Sequence, residues 1–175
     1  MNDANLSTRN RATAAAADLV IGIAAGTAAA GAMSLFQALW SRYVVPAPPG
    51  ETAATKAADA VSEEISHAPI KPSDREAADT VVHYLTGAVL GALYGVVGGR
   101  SPMLFTGRGS VFGVLAWLIC DEIMVPMFRL GPRPQSKPAE EHLSALASHI
   151  VFGLSLDLVR RRLNAEVSKR RNARG

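Results

Sequence analysis

Four stretches of this chain carry almost no charge, and they decide what it can fold into. Leu19 to Trp40 has no charged residue in 22 positions, and Thr80 to Gly99, Gly109 to Phe128 and Leu143 to Val159 are nearly as clean. Each is roughly 17 to 22 residues long, enough for a helix to cross about 30 Å of hydrocarbon at about 1.5 Å per residue. The runs predict an all-α protein, a four-helix transmembrane bundle over residues 18–163, with helices at about 19–41, 79–99, 109–129 and 143–162. A polar segment (1–17) precedes it, a loop (42–78) joins its first two helices, and a basic tail (164–175) follows.

A soluble helical bundle is the rival reading, favoured by the many alanines, the short fourth run and a mean hydropathy of only +0.15. Glycine argues against it. Gly87, Gly91 and Gly95 recur at every fourth residue, as do Gly22, Gly26 and Ala30, and Gly153 stands in the fourth run. Interior glycine costs a soluble helix about 1 kcal/mol relative to alanine, whereas in lipid small residues at this spacing let helices approach closely. The first run, at 22 residues, exceeds the h-region of a signal peptide, roughly 7 to 15 residues, and three more runs follow, so an uncleaved first helix is expected. The one cysteine, Cys120, lies inside the third run and permits no disulfide within the chain.

Lysine and arginine set the expected orientation. The N-terminal segment, the Gly99 to Arg108 loop and the residues after Val159 together hold 11 of them, against 7 in residues 41–79 and the Arg129 to Glu141 loop. The positive-inside rule then places both termini in the cytoplasm, with Arg160, Arg161 and Arg162 at the level of anionic headgroups. The tail lacks the interleaved aromatic residues of a nucleic-acid surface, so the bilayer is the expected partner, with another copy or another membrane protein as further partners and no nucleic acid.

The long outer loop opens with Trp40 and Tyr43, suited to the interface, and the stiff Pro46 to Pro49 segment. Glu51 to Ile65 then sets Ala54, Ala57, Val61 and Ile65 on one face, which predicts a short amphipathic helix that lies on the membrane or covers the helix ends. A solvated loop with a frayed helix is the alternative. The second and fourth runs share His-x-x-x-Gly, at His83 to Gly87 and His149 to Gly153, a weak hint of duplicated helix pairs.

Polar residues inside the runs are the candidate site. Gln37, His83, the adjacent Asp121 and Glu122, and His149 fall within roughly one helical turn of a common depth in the outer half of the bilayer, one or two from each helix. Neighbouring carboxylates diverge by about 100° on a helix, so Asp121 and Glu122 do not both aim at one point. Glu122, one turn before Pro126, is the favoured inward residue, because proline leaves a carbonyl acceptor beside it. On the fourth helix, His142, His149, Gly153 and Leu156 share a stripe.

Such a group supports proton relay by imidazole and carboxylate, a zinc, iron or manganese site on His83, Glu122 and His149, or haem ligation by two histidines; no cofactor is expected, metal and haem being the less favoured readings. It also supports plain interhelical hydrogen bonding that fixes the bundle. No phosphate-binding loop, Cys-x-x-Cys pair or nucleophile motif is present, so the expectation leans away from an enzyme.

Several short motifs, weak singly, agree in order: Val45-Pro-Ala-Pro-Pro49, His83, Asp121 followed by Pro126 and Leu130-Gly-Pro132, His149-Ile-Val-Phe, and Asp157-Leu-Val-Arg-Arg161. Over roughly residues 36 to 163 the chain resembles the YagU-like family of small bacterial inner-membrane proteins. The resemblance implies an integral inner-membrane protein and carries no activity with it; at Asp121 a histidine can stand in that family. Two functions follow as expectations: a transport or proton-linked role for the cluster, or a structural or assembly role in which the cluster only packs helices.

Overall fold

In the computed structural model, which describes residues 3–46, 50–98 and 107–173, every regular element is helical. Helix α1 (Asp3–Tyr43) is followed by α2 (Ala53–Ser66) and α3 (Arg75–Gly98). The third apolar run is divided: α4 (Ser110–Trp117), a π-helical turn (Leu118–Met124) and α5 (Val125–Met127). The chain ends in α6 (Ala139–Asn172). Four spans are long and apolar enough to cross a membrane: Thr13–Tyr43, Pro72–Val97, Gly107–Met127 and Ala139–Arg170.

The ends of α1 and α6 lie well beyond the uncharged runs. Alanine-rich residues 12–18 and the Arg/Lys/Glu-rich 160–172 are good helix formers, so the helices continue where hydrophobicity stops. Residues 47–49 of the stiff segment and residues 99–106 of the second connection lie outside the described residues.

The packing is inverted relative to a water-soluble bundle. The interior is built from small residues, Ala25, Ala29, Ala30 and Ala116, with Met33, Tyr94, Phe152 and Leu156 filling the gaps. Large aliphatic side chains such as Leu35, Val89, Leu93, Ile119, Ile123 and Leu158 point outward, each more than two-fifths exposed. In water such a surface is unfavourable at about 25 cal/mol per Å2, whereas hydrocarbon tails solvate it. The four spans and this outward aliphatic surface together make the chain a multi-pass membrane protein.

Close packing runs α3 to α1 to α6 to α4. Glycine makes it possible on both flanks. A Cβ on Gly22 or Gly26 would run into the backbone of Gly91 or Gly87, and one on Gly95 into Asp18. The α4–α6 pair has an equivalent seam in which Gly109 and Gly113 abut Gly153 and His149. Gly109 and Gly113, absent from the expected packing set, thus join Gly22, Gly26, Gly87, Gly91, Gly95 and Gly153.

Helix α2 forms where expected, but only the first half of its expected face turns inward. Thr55 and Ala58 are buried, whereas Val61 and Ile65 are 59% and 78% exposed. The reason is a polar seam to the start of α3. The Asp79 carboxylate accepts from the hydroxyls of Thr52 and Thr55, and Arg75 pairs with Glu51 and with Asp59, the latter at 3.3 Å. Thr52 also caps α2 by accepting from the Thr55 amide at 3.0 Å. These bonds rotate the helix so that Ala53, Ala54 and Ala57 face a cavity between the spans.

Candidate functional site

The site is built around the break in the third span. Between Leu118 and Met124 the backbone takes the i→i+5 register, with the Val125 amide donating to the Cys120 carbonyl. In that register the next donor would serve Asp121, but it belongs to Pro126, which has no N–H. The wide turn therefore centres on the two carboxylates and ends at a proline. Single π turns of this kind recur at functional positions.

The two carboxylates part company as adjacent helical residues must. Glu122 Oε1 lies 2.9 Å from Nδ1 of His142, while Asp121 Oδ2 lies 3.7 Å from Nδ1 of His149. His142 and His149 are seven residues apart, two turns and about 10 Å along one stripe of α6. Side-chain divergence lets neighbours in sequence reach groups two turns apart.

Hydrogen-bond chemistry assigns the ring protons. His149 Nδ1 is 2.9 Å from the Ala145 carbonyl, which only accepts, so Nδ1 carries the proton. His142 Nε2 is 2.9 Å from the Pro134 carbonyl and must donate to it. Its Nδ1 then faces Glu122 across a bond that contains a proton in either form: neutral imidazole accepting from a carboxylic acid, or imidazolium donating to a carboxylate.

Two cavities adjoin these pairs. One, of about 420 Å3, lies between the spans and is lined by Gln37, His83, Asp121 and His149, so it draws on all three remaining helices and the π turn. The other, of about 480 Å3, lies beyond it towards the connections, with Glu122, His142, Lys56, Lys137, Glu140 and Glu141 in its wall. Gln37, Asp121, Val125 and Ala145 line both.

Four of the five residues expected at one depth thus border a single cavity, and Glu122 does not. The preference for Glu122 as the residue facing His83 and His149 is corrected: Asp121 faces His149, and Glu122 turns to His142. His142 stood on the stripe but outside the expected cluster, because it lies near the helix end; its distance of seven from His149 was the available signal. The proposed metal trio of His83, Glu122 and His149 is consequently not assembled. Among the described residues, no three His, Cys, Asp or Glu side chains are grouped closely enough to hold a metal ion. His83 instead binds across the α1–α3 seam, Nε2 to the Ala30 carbonyl at 3.2 Å.

A second polar centre, absent from the expected site, occupies the far end of the bundle. Asp157 is 2% exposed; Tyr94 donates to its Oδ1 at 3.0 Å and Arg161 Nε lies 2.7 Å from Oδ2. The Arg160 guanidinium stands 5.8 Å from the Tyr94 ring centroid. Two of the three arginines expected at headgroups therefore hold protein groups as well. The sequence signal was Arg161 four residues after Asp157, one turn along a helix.

No curated protein and no solved structure matches the chain. One family does match, over residues 44–158, a range that takes in His83, both carboxylates, His142, His149 and Asp157. The chain therefore belongs to the family described as protein of unknown function (DUF1440).

Proposed function

We propose that this is a YagU-like bacterial inner-membrane protein, with both termini cytoplasmic, in which Asp121–His149 and Glu122–His142 take up and pass protons as part of a transport or other proton-linked cycle. The observation that carries the reading is the obligatory proton in the Glu122–His142 bond, one residue from Asp121, which faces His149 and lines both cavities. Imidazole beside carboxylate changes charge near physiological pH, and intramembrane groups of this kind mark proton paths. One cavity wall adds Lys56, Lys137, Glu140 and Glu141, and the other adds His83 and Asp79, so the pairs sit among charged and titratable groups of both kinds.

The experiment is infrared difference spectroscopy on protein in lipid nanodiscs, stepped between about pH 8 and pH 5, the range over which histidine and its partners exchange protons. A protonated-carboxyl stretch should grow on acidification, shrink in Asp121→Asn and in Glu122→Gln, and be absent from the double variant. A spectrum in which the wild type and the folded double variant respond alike would end the proton-linked reading.

One observation favours the structural alternative for part of the cluster. His83 ties α3 to α1 through the Ala30 carbonyl, within the glycine seam. We assign it to packing, so His83→Leu should lower the melting temperature without removing the carboxyl signal. Loss of that signal in a folded His83→Leu protein would return His83 to the proton path.

A further inference from the structure

We infer that the cavity of about 420 Å3 between the spans binds a monovalent organic cation with an apolar body, its charge held against Asp121. This deepens the proton-linked reading of Asp121 and rests on it, since cation and proton would then share one carboxylate.

Size comes first. Small-molecule sites enclose roughly 300 to 1,000 Å3, and this cavity falls inside that range. Its wall is mainly apolar, with Met33, Leu90, Phe128 and Phe152 offering a surface for a hydrocarbon or aromatic body. Its fixed charges are of one sign. Asp79 and Asp121 line it, and among the described lining residues there is no lysine or arginine.

Asp79 accepts from two threonine hydroxyls, the pattern of an ionised carboxylate, and serves the α2 seam. Asp121 differs. His149 spends its Nδ1 proton on Ala145 at 2.9 Å, so it stands off Asp121 at 3.7 Å, outside hydrogen-bonding distance. A carboxylate in apolar surroundings with so distant a partner is stabilised by an incoming cation more than the same group in water would be. Phe128 and Phe152 place aromatic rings in the wall, and the face of such a ring attracts an organic cation. A bare metal ion is disfavoured by the lack of three grouped ligands among the described residues.

The groups that set the charge seen at Asp121 come from each neighbour: His149 on α6, Glu122 beside it, Lys137 from the following loop, and His83 and Asp79 across the cavity on α3. A cation seated at Asp121 favours the deprotonated carboxylate. Acidification therefore weakens the cation, and the cation releases a proton.

The protein carries its own reporter, because its single cysteine, Cys120, lines this cavity. Wild-type protein in phosphatidylcholine nanodiscs is labelled with N-ethylmaleimide and followed by intact mass, with benzyltrimethylammonium or its uncharged isostere neopentylbenzene present. The ammonium should slow labelling about tenfold once it reaches about ten times its Kd, and the neutral isostere much less. Equal protection by both, or protection by neither, would overturn the inference. In Asp121→Asn, each rate is compared with that variant's own unliganded rate and melting curve; protection by the ammonium should disappear, and its persistence in a folded variant would overturn the assignment to Asp121. The quaternary ion does not titrate, so the two readings fail separately. Charge-selective protection that is the same at about pH 5 and pH 8 would leave the cation site supported and remove proton competition at Asp121.

Discussion

At the scale of single residues, this molecule treats three carboxylates of its third and fourth spans differently. Asp157 is buried and fully partnered, Glu122 is locked to one imidazole, and Asp121 is held loosely beside a cavity. Asp157 is thus the one whose removal should act on stability. Tyr94→Phe deletes one hydrogen bond, with an expected cost of about 1 kcal/mol, whereas Asp157→Ala leaves the tyrosine hydroxyl and Arg161 without their buried acceptor and should cost about 3 kcal/mol. Thermal unfolding in a mild detergent reads both; an Asp157→Ala protein as stable as wild type would show that the Tyr94 bond contributes nothing to holding α3 against α6. The sequence made the presence of these polar groups plain, because a charge inside an apolar run is conspicuous. It did not reveal their partners. The choice between Asp121 and Glu122 depended on the rotation of a π turn, and the pairing of Glu122 depended on a loop that brings the Pro134 carbonyl to the far side of His142.

At the scale of elements, periodicity was legible and register was not. The four-residue glycine spacing foretold close helix contact because only a missing Cβ allows backbones so near, and Gly22 and Gly26 do lie against Gly87 and Gly91. The face of α2 was legible only in its first half, Ala54 and Ala57, because its apolar residues are few, and hydroxyl and charge contacts to Asp79 and Arg75 fix its rotation. The π turn left no compositional mark, since the residues that form it would also make an α-helix. Glycine positions allow a discriminating test. A methyl on Gly26 would collide with the Gly87 carbonyl, and lies 2.8 Å from the Gly91 Cα, whereas one on Gly31 meets only the Tyr84 side chain, its hydroxyl at 3.3 Å and Cε1 at 3.9 Å. Gly26→Ala should therefore lower the melting temperature sharply or prevent folding, and Gly31→Ala should leave it within a degree or two, about the shift expected from a few tenths of a kcal/mol in a domain this size. Similar melting curves for the two variants would mean that α1 and α3 are not in backbone contact.

At the scale of the whole molecule, the lipid-facing surface and the charge distribution make separate statements. The outward leucines, valines and isoleucines require an apolar solvent around the helices but are silent on direction. Direction comes from the charges. With an even number of crossings both termini share a side, and the side holding 11 of the 18 lysines and arginines is expected to be cytoplasmic. On that expected orientation the cavities, lined in part by α2, would lie in the periplasmic half, where an outer proton or cation would reach them first. Most of the excess positive charge sits after Val159, and Arg160 and Arg161 there also engage Tyr94 and Asp157, so their charge is partly spent within the protein. Single-cysteine labelling decides the matter. In a Cys120→Ala background, His67→Cys at the exposed end of α2 should react in intact cells with a membrane-impermeant maleimide, and Ser168→Cys on the exposed tail should react only after the membrane is opened. The reverse pattern would invert the molecule, placing the cavities on the cytoplasmic half. The chemistry proposed for Asp121 would survive that inversion, since it depends on local geometry, but protons and cations would then enter from inside the cell.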